Sequence, residues 1–497
     1  MPVGFDTIPA GAVASMVAIE QKYRKAGNSS PGAITQRIAL IARFLAAKTP
    51  AVNVANPVTN ADEVAAIAGY GSEAHLMAIT LFANMGNFPA LVDYFPLTDG
   101  TTAATGTVVF ATNASSAGQW TVYIAGKPIT ISVASGDTPT VQAAALSAAI
   151  NADITLPVTA SPSTGTVTLT SKWKGASANL INIMKNYTGK EINLQPGGTT
   201  MTVTTLASGA TDPTLPTLST MFGTTFYTWI LMGLNDATSA AALETCFTTR
   251  VGALIKKPTM GVMGYVDTRA NFLTALGSVA SPVRNSPGSC YVPVEGSPMY
   301  PGQIAAAVVG QGAVSANADP GRSLRSLPLL GILPGFGVAP WDQTQAEAVE
   351  QAGGSVTEII GGQVVIKDLL TTYKTNAGGA ADSSFRYVET VCNIQNKEYQ
   401  IDTMFRSDPF TRATVITDDD LSSKDYAINP KTVKAYVTSL INTWIANNWS
   451  VQRDAIIAGL IVEIDSGNPG RFNILLPDRL STPLRIVAVS YQWSFAG

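Results

Sequence analysis

Residues 226–249, F-Y-T-W-I-L-M-G-L-N-D-A-T-S-A-A-A-L-E-T-C-F-T-T, hold the pattern that decides the fold. A strand over Phe226–Met232 is followed at once by Asn235-Asp236 and a helix over Ala240–Thr249. The same unit recurs: strand Met260–Val266 with Asp267 and a helix to Leu276, then strand Cys290–Val294 with a helix over Gly302–Val309. Strands alternating with helices through short links predict a parallel sheet with crossover helices.

Upstream the pattern continues. Ile34–Leu45 is apolar, β-branched and aromatic with Arg37 and Arg43 interspersed, and fits a strand or a short helix. Asn60-Ala61-Asp62-Glu63 opens a helix, and Ser72 caps a second one over Glu73–Asn84. Between about Leu97 and Ser208 the composition changes to Thr, Gly, Val and Ala. Trp120–Ile124 and Ile129–Val133 alternate around Gly126-Lys127-Pro128, Thr166–Thr170 reads as a strand, and one helix spans Thr140–Asn151. That block predicts a β-rich module inserted into the α/β pattern.

From Trp341 the chain is more charged. Gln343–Ala352 reads as a helix, Gly361–Tyr373 as a turn with two strands, and Pro430–Trp449 as a long helix entered through Asn429 with proline at its first position. At the end, Arg485–Phe495 places Val487, Val489, Tyr491, Trp493 and Phe495 on one side of a strict alternation, the signature of a half-buried strand. An uncovered edge of that kind invites pairing with another chain.

The fold class expected is therefore an α/β core domain plus an α+β C-terminal domain, with an inserted β-rich domain and extended terminal arms. The boundaries are an N-terminal arm over 1–25, a discontinuous core over 26–96 and 209–340, the insert over 97–208, the C-terminal domain over 341–480 and an arm strand over 481–497. A length of 497 residues suits about three domains.

Composition narrows the function. Charged residues are only 13% of the chain, the formal net charge is -3, and no basic run forms a phosphate-binding stripe, so nucleic acid is not an expected partner. A low-charge surface repels copies of itself weakly, which favours self-association. No apolar run reaches the roughly 18 residues of a membrane span, and the start lacks a basic leader segment. Cys246, Cys290 and Cys392 form no C-x-x-C pair and read as small core residues.

Catalytic constellations are missing. His75 is the sole histidine and reads as a surface or half-buried helix residue. Asp418-Asp419-Asp420 lacks the spacing of a calcium loop and reads as a solvated turn. Gly310-Gln311-Gly312 follows a helix rather than a strand and has no third glycine, so the dinucleotide reading fails. Asp236 and Asp267 sit at strand ends, where an enzyme would gather polar groups, and read as helix caps. No catalytic residue, cofactor or metal site is expected.

A series of segments resembles the contractile tail sheath proteins of Mu-like phages. They are D-P-G-R-S-L-R-S-L-P-L-L-G-I-L-P (Asp319–Pro334), A-E-A-V-E-Q-A-G-G-S-V-T-E-I-I-G-G-Q-V-V-I-K-D-L-L-T-T-Y-K-T-N (Ala346–Asn376), A-D-S-S-F-R-Y-V-E-T (Ala381–Thr390), I-N-P-K-T-V-K (Ile428–Lys434) and G-N-P-G-R-F-N-I-L-L-P-D-R-L (Gly467–Leu480). Ala104–Thr107, Tyr123–Thr138 and Leu156–Ala160 are similar to the family's inserted domain.

The resemblance implies hexameric rings stacked helically around a tail tube, joined by terminal arms that add strands to neighbours' C-terminal-domain sheets. The partners implied are further copies of the chain, the tail tube protein, and baseplate and tail terminator proteins. The location implied is the tail of a virion or phage-derived particle assembled in a bacterial host cytoplasm. On this reading Ile486, Val487, Val489, Tyr491, Trp493 and Phe495 form the inter-subunit strand, Ser481, Thr482 and Pro483 an arm hinge, and Lys431 and Lys434 a tube contact. A phage and a bacteriocin or other injection particle stay open, as do a secreted β-rich adhesin or carbohydrate binder and an α/β enzyme.

Overall fold

The computed structural model describes residues 33–88, 90–422 and 424–495. It divides into two compact units. The large unit holds 33–401 and 480 onward; the described part of the small unit holds 402–479.

The large unit begins with strand β1 (Arg37–Arg43), which settles the choice left open over Ile34–Leu45. Then come β2 (Asn56–Val58), α1 (Ala61–Ala68), α2 (Glu73–Met85) and β3 (Leu91–Leu97). Asn60 and Ser72 each accept a backbone N–H of the helix they open, which is why the two helices start there.

A second set of elements follows: β4 (Ala103–Phe110), β5 (Gly118–Ile124), β6 (Lys127–Val133), α3 (Pro139–Ala152), β7 (Val158–Ser163), β8 (Thr166–Lys174), β9 (Ile183–Lys185) and β10 (Met201–Ala207). They build two antiparallel sheets of their own, ordered β10-β4-β8-β7 and β6-β5-β9. β4 and β8 bury alternate residues, so Val108, Val167 and Leu169 turn inward while the threonines between them meet solvent.

The chain then returns through α4 (Leu218–Phe222), β11 (Trp229–Met232), α5 (Ala237–Arg250), β12 (Met260–Tyr265), α6 (Arg269–Leu276), β13 (Ser289–Pro293) and α7 (Pro301–Ala318). β1, β3, β11, β12 and β13 pair in parallel and β2 adds antiparallel to β3, giving the order β13-β12-β11-β1-β3-β2.

Both faces of this sheet are covered. Ile38, Leu40 and Ala42 point toward the α2 and α7 side, Ala39 and Ile41 toward Phe95, Ile230 and the α5 side. A parallel sheet demands such cover, and the central strands accordingly read as unbroken apolar runs. The Gly310-Gln311-Gly312 fragment lies inside α7. A Cβ on Gly310 would sit 2.8 Å from the Asn84 Cβ and one on Gly312 2.8 Å from the Trp229 ring, so these glycines permit close packing of α7 on α2 and the sheet.

A buried ion cluster closes the end of β1, and the insert meets it through the Lys174 carbonyl. Arg43, at the end of β1, donates through Nε to Glu73 Oε2 at 2.9 Å, through Nη2 to Oε1 at 2.5 Å, and through Nη1 to Asp212 at 2.8 Å and the Lys174 carbonyl at 2.9 Å. Tyr300 donates its hydroxyl to Glu73 at 2.5 Å, and neither Arg43 nor Glu73 has any exposed side-chain surface. Burial alone would raise the Glu73 carboxyl; the Arg43 charge and these hydrogen bonds hold it below its ordinary range.

The remaining elements of the large unit are α8 (Gln343–Gln351), β14 (Val356–Ile360) and β15 (Gln363–Asp368). β14 and β15 form a hairpin whose two turn residues, Gly361 and Gly362, both have positive φ, as its two-residue turn requires. Here the boundary differs from the sequence expectation: residues 341–401, grouped by sequence with the C-terminal domain 341–480, cluster with the large unit. The reason is packing. Ala346 and Val349 of α8 enter the core beside Phe272 and Leu276, Ser355 N–H donates to the Tyr291 carbonyl, and Thr372 N–H to Ser289.

Helix α9 (Val388–Phe405) contains the dividing point at 402. In the small unit the short β16 (Thr414–Val415) and β17 (Ala427–Ile428) pair in parallel, and α10 (Pro430–Ala446), α11 (Arg453–Gly459), β18 (Ile461–Ile464) and β19 (Phe472–Leu475) follow. Asn429 caps α10 with Pro430 at its first position. Val433, Val437, Leu440, Ile441 and Trp444 form its buried stripe, and α10 packs along β18.

Candidate assembly interface

The C-terminal segment is the most exposed apolar stretch of the described chain. Ile486, Val487, Val489, Tyr491, Trp493 and Phe495 are between 67% and 86% exposed, and the segment enters no ladder among the described residues. Soluble surfaces scatter single hydrophobic residues but seldom present six large ones in ten positions. The Trp493 and Phe495 rings meet edge to face with centroids 5.2 Å apart, so these two side chains, separated by one residue, lie together. Among the described residues nothing covers them.

The root of the segment is held firmly. The Arg485 guanidinium forms ion pairs with Asp368 at the end of β15 and with Glu389 in the first turn of α9. Its Cζ lies 4.0 Å from the centroid of the Tyr387 ring, a close cation-π contact. Arg325 donates from Nη1 to the Arg485 carbonyl at 3.3 Å. The Arg485 and Asp368 side chains are each 13% exposed and that of Glu389 2%. Glu350 stands nearby, its carboxyl pushed up by burial and by the charge of Asp368. Sequence reasoning missed this cluster, because its carboxylates lie 117 and 96 residues before Arg485. The one available signal was an arginine opening an otherwise apolar run.

Ser481, Thr482 and Pro483, the expected hinge, lie between Arg479, whose carbonyl accepts from Val451 N–H, and the Arg485 cluster. Ser481 and Pro483 are half-buried and Thr482 exposed. Lys431 and Lys434 are exposed on α10, away from its buried stripe, and Lys431 N–H donates to Asp418. The N-terminal arm, 1–25, lies outside the described residues.

The β18 and β19 hairpin offers the complementary feature. The two strands pair only with each other among the described residues, so each keeps one edge of backbone groups outside any sheet. Ile461 and Leu475 are about half exposed. A two-stranded ribbon is marginal by itself and gains from further strands.

The residues weighed for chemistry have structural roles. His75 is buried, more than the sequence suggested: its Nδ1 accepts the Gly71 N–H at 3.1 Å, its ring meets Tyr70, and burial lowers its pKa. Asp236 caps α5 by accepting from Thr238 and Ser239 N–H, and Asp267 accepts from Thr268 N–H and the Asn271 amide beside the start of α6. Asp420 accepts from Thr417 in its own turn. The three cysteines are buried thiols, with Cys290 and Cys392 pushed up to about 12 chiefly by burial. Among the described residues no cluster could hold a metal ion and no helix is long and apolar enough to cross a membrane.

No family model matches the chain. A curated relative does: the tail sheath protein of the Mu-like prophage FluMu in Haemophilus influenzae is 27% identical over 507 residues, covering 99% of this chain and all of the relative. Among solved structures, the helical sheath of the anti-feeding prophage in its contracted state covers 97% of this chain and 99% of its own at a TM-score of 0.50 and 12% identity. A sheath tail protein from Listeria innocua covers 92% and 93% at a TM-score of 0.48 and 15% identity. The chain is thus similar over its whole length to the tail sheath protein of a Mu-like prophage and shares the fold of a contracted sheath.

Proposed function

We propose that the chain polymerises as stacked hexameric rings around a tail tube and that its last strand is given to a neighbouring copy. The single observation that carries this reading is the row of apolar side chains from Ile486 to Phe495, exposed in one chain and alternating as a strand alternates. The acceptor is the β18 and β19 hairpin of the neighbour, whose edges stand outside any larger sheet among the described residues. Strand addition supplies main-chain hydrogen bonds for affinity and side-chain pockets for register. A contact made from one copy to the next without closing on itself propagates into a helical polymer.

Contraction on this reading needs no nucleotide. Core domains re-dock as rigid bodies while the exchanged strands keep neighbours joined, with Ser481–Pro483 as the hinge. The Arg43 donation to the Lys174 carbonyl and the Trp173 ring against Tyr300 support the view that the insert, 97–208, travels with the 26–96 and 209–340 core. Lys431 and Lys434 are the tube contact, baseplate and terminator proteins close the two ends, and shortening drives the tube through the envelope of the target cell. The particle is the tail of a virion or of a phage-derived injection system, assembled in the host cytoplasm.

Negative-stain electron microscopy of the purified chain beside a version ending at Pro483 tests the assembly. Hollow tubes or stacked rings from the first and free subunits from the second are expected. Equal tubes from both would remove the role given to the strand.

A further inference from the structure

Read from sequence, the arm starts at residue 481. The contacts at residue 485 divide it differently. We propose that Arg485 is a positioning residue that pins the root of the C-terminal arm to the large unit of its own subunit, so that only residues 486–495 are released for exchange. The second half of this statement rests on the strand-exchange reading; the first half does not.

Three independent contacts meet at this side chain. Two carboxylates take the guanidinium from different elements, Asp368 on β15 and Glu389 on α9, and the Tyr387 ring stacks against it. Arginine suits the place because its planar fork can serve two carboxylates and an aromatic face at once, which a lysine cannot. The backbone is held as well, through Arg325 to the Arg485 carbonyl. One residue further the environment reverses: Ile486 is 83% exposed, and the apolar row begins.

Pinning has a physical purpose. An arm loose from residue 480 would lose the freedom of about fifteen residues on pairing, whereas an arm held at Arg485 starts with its first strand residue already placed. A force applied along the strand during contraction also passes into β15 and α9 of the large unit, where Arg485 is bound, before it reaches Ser481–Pro483.

Trypsin reads the anchor directly, since it cuts after arginine only when that side chain can enter its own acidic pocket. On the free chain below its assembly concentration, loss of residues 486–497 is followed by mass spectrometry. Asp368→Asn with Glu389→Gln keeps the shapes and removes the charges, and is expected to speed cleavage after Arg485 at least tenfold, while cleavage after Arg471 is unchanged. Tyr387→Leu, which leaves both carboxylates, is expected to speed it several-fold and guards against a folding defect in the double variant. Equal cleavage after Arg485 in all three chains would overturn the anchor.

Assembly separates the two halves of the proposal. Arg485→Ala retains the strand without its anchor and is expected to need at least tenfold more protein to form tubes; an unchanged requirement would overturn the positioning role. A chain ending at Arg485 keeps the anchor without the strand. Tubes from that chain would overturn strand exchange and leave the protease result standing.

Discussion

Replacing Tyr491 and Trp493 together by alanine gives the sharpest test of the terminal strand. Both rings already lie open in the single chain, at 82% and 67% exposure, so truncation costs the folded subunit almost nothing. In the polymer the same rings would be covered. Full burial of a large apolar side chain is worth about 1.5–3 kcal/mol, and with two thirds to four fifths of each ring available the pair contributes about 2–5 kcal/mol to each subunit added. Every 1.4 kcal/mol is roughly tenfold in affinity, so the critical concentration should rise about 30-fold to 3,000-fold. Sedimentation of tubes across a concentration series measures this directly, with a melting curve to show that the subunit itself is intact. A critical concentration within threefold of the original would refute the reasoning, because no arrangement that buries these rings could be so indifferent to losing them.

Two further outcomes follow from the described geometry. Glu73→Gln leaves Arg43 buried with Asp212 as its only formal counter-charge and should cost about 3 kcal/mol, as breaking a buried pair does, lowering the melting temperature of the large unit by about 4 °C. Because the folded Glu73 carboxyl is held below its ordinary value of 4.5, its stabilisation is intact above that pH and is lost as pH falls through the lower folded value; the gap between variant and original should therefore close in acid, and a gap that widened would contradict the assignment. Lys431→Glu with Lys434→Glu changes only exposed positions of α10, so sheath tubes should form as before while co-sedimentation with the tail tube fails at about 0.15 M salt; normal co-assembly would remove these lysines from the tube contact.

The sequence by itself determined whatever depends on neighbours along the chain. Asn60, Ser72, Asp236 and Asn429 begin helices because their side chains accept N–H groups two or three residues on, and each can be recognised without knowing what the helix packs against. The strand and helix rhythm from Phe226 onward announced the parallel sheet; the segment from Val487 to Phe495, whose alternation reads as a half-buried strand, is exposed and enters no ladder among the described residues.

Tertiary structure decided what depends on distant partners. Ile34–Leu45 fitted either element until Ile38–Ile41 paired between β11 and β3. Residues 341–401 read as part of the last domain because their composition changes there, yet Ala346, Val349 and Ser355 find their partners in the large unit. Arg43 and Arg485 are alike in sequence, each an arginine beside apolar residues. One is fully enclosed with Glu73 and Tyr300, the other pins the root of an exposed arm with Asp368 and Glu389, and in both cases the carboxylates come from elements far away in the chain. A buried charge is tolerable only where an opposite charge meets it, and that meeting is made by the packing of whole elements, which no local pattern of residues contains.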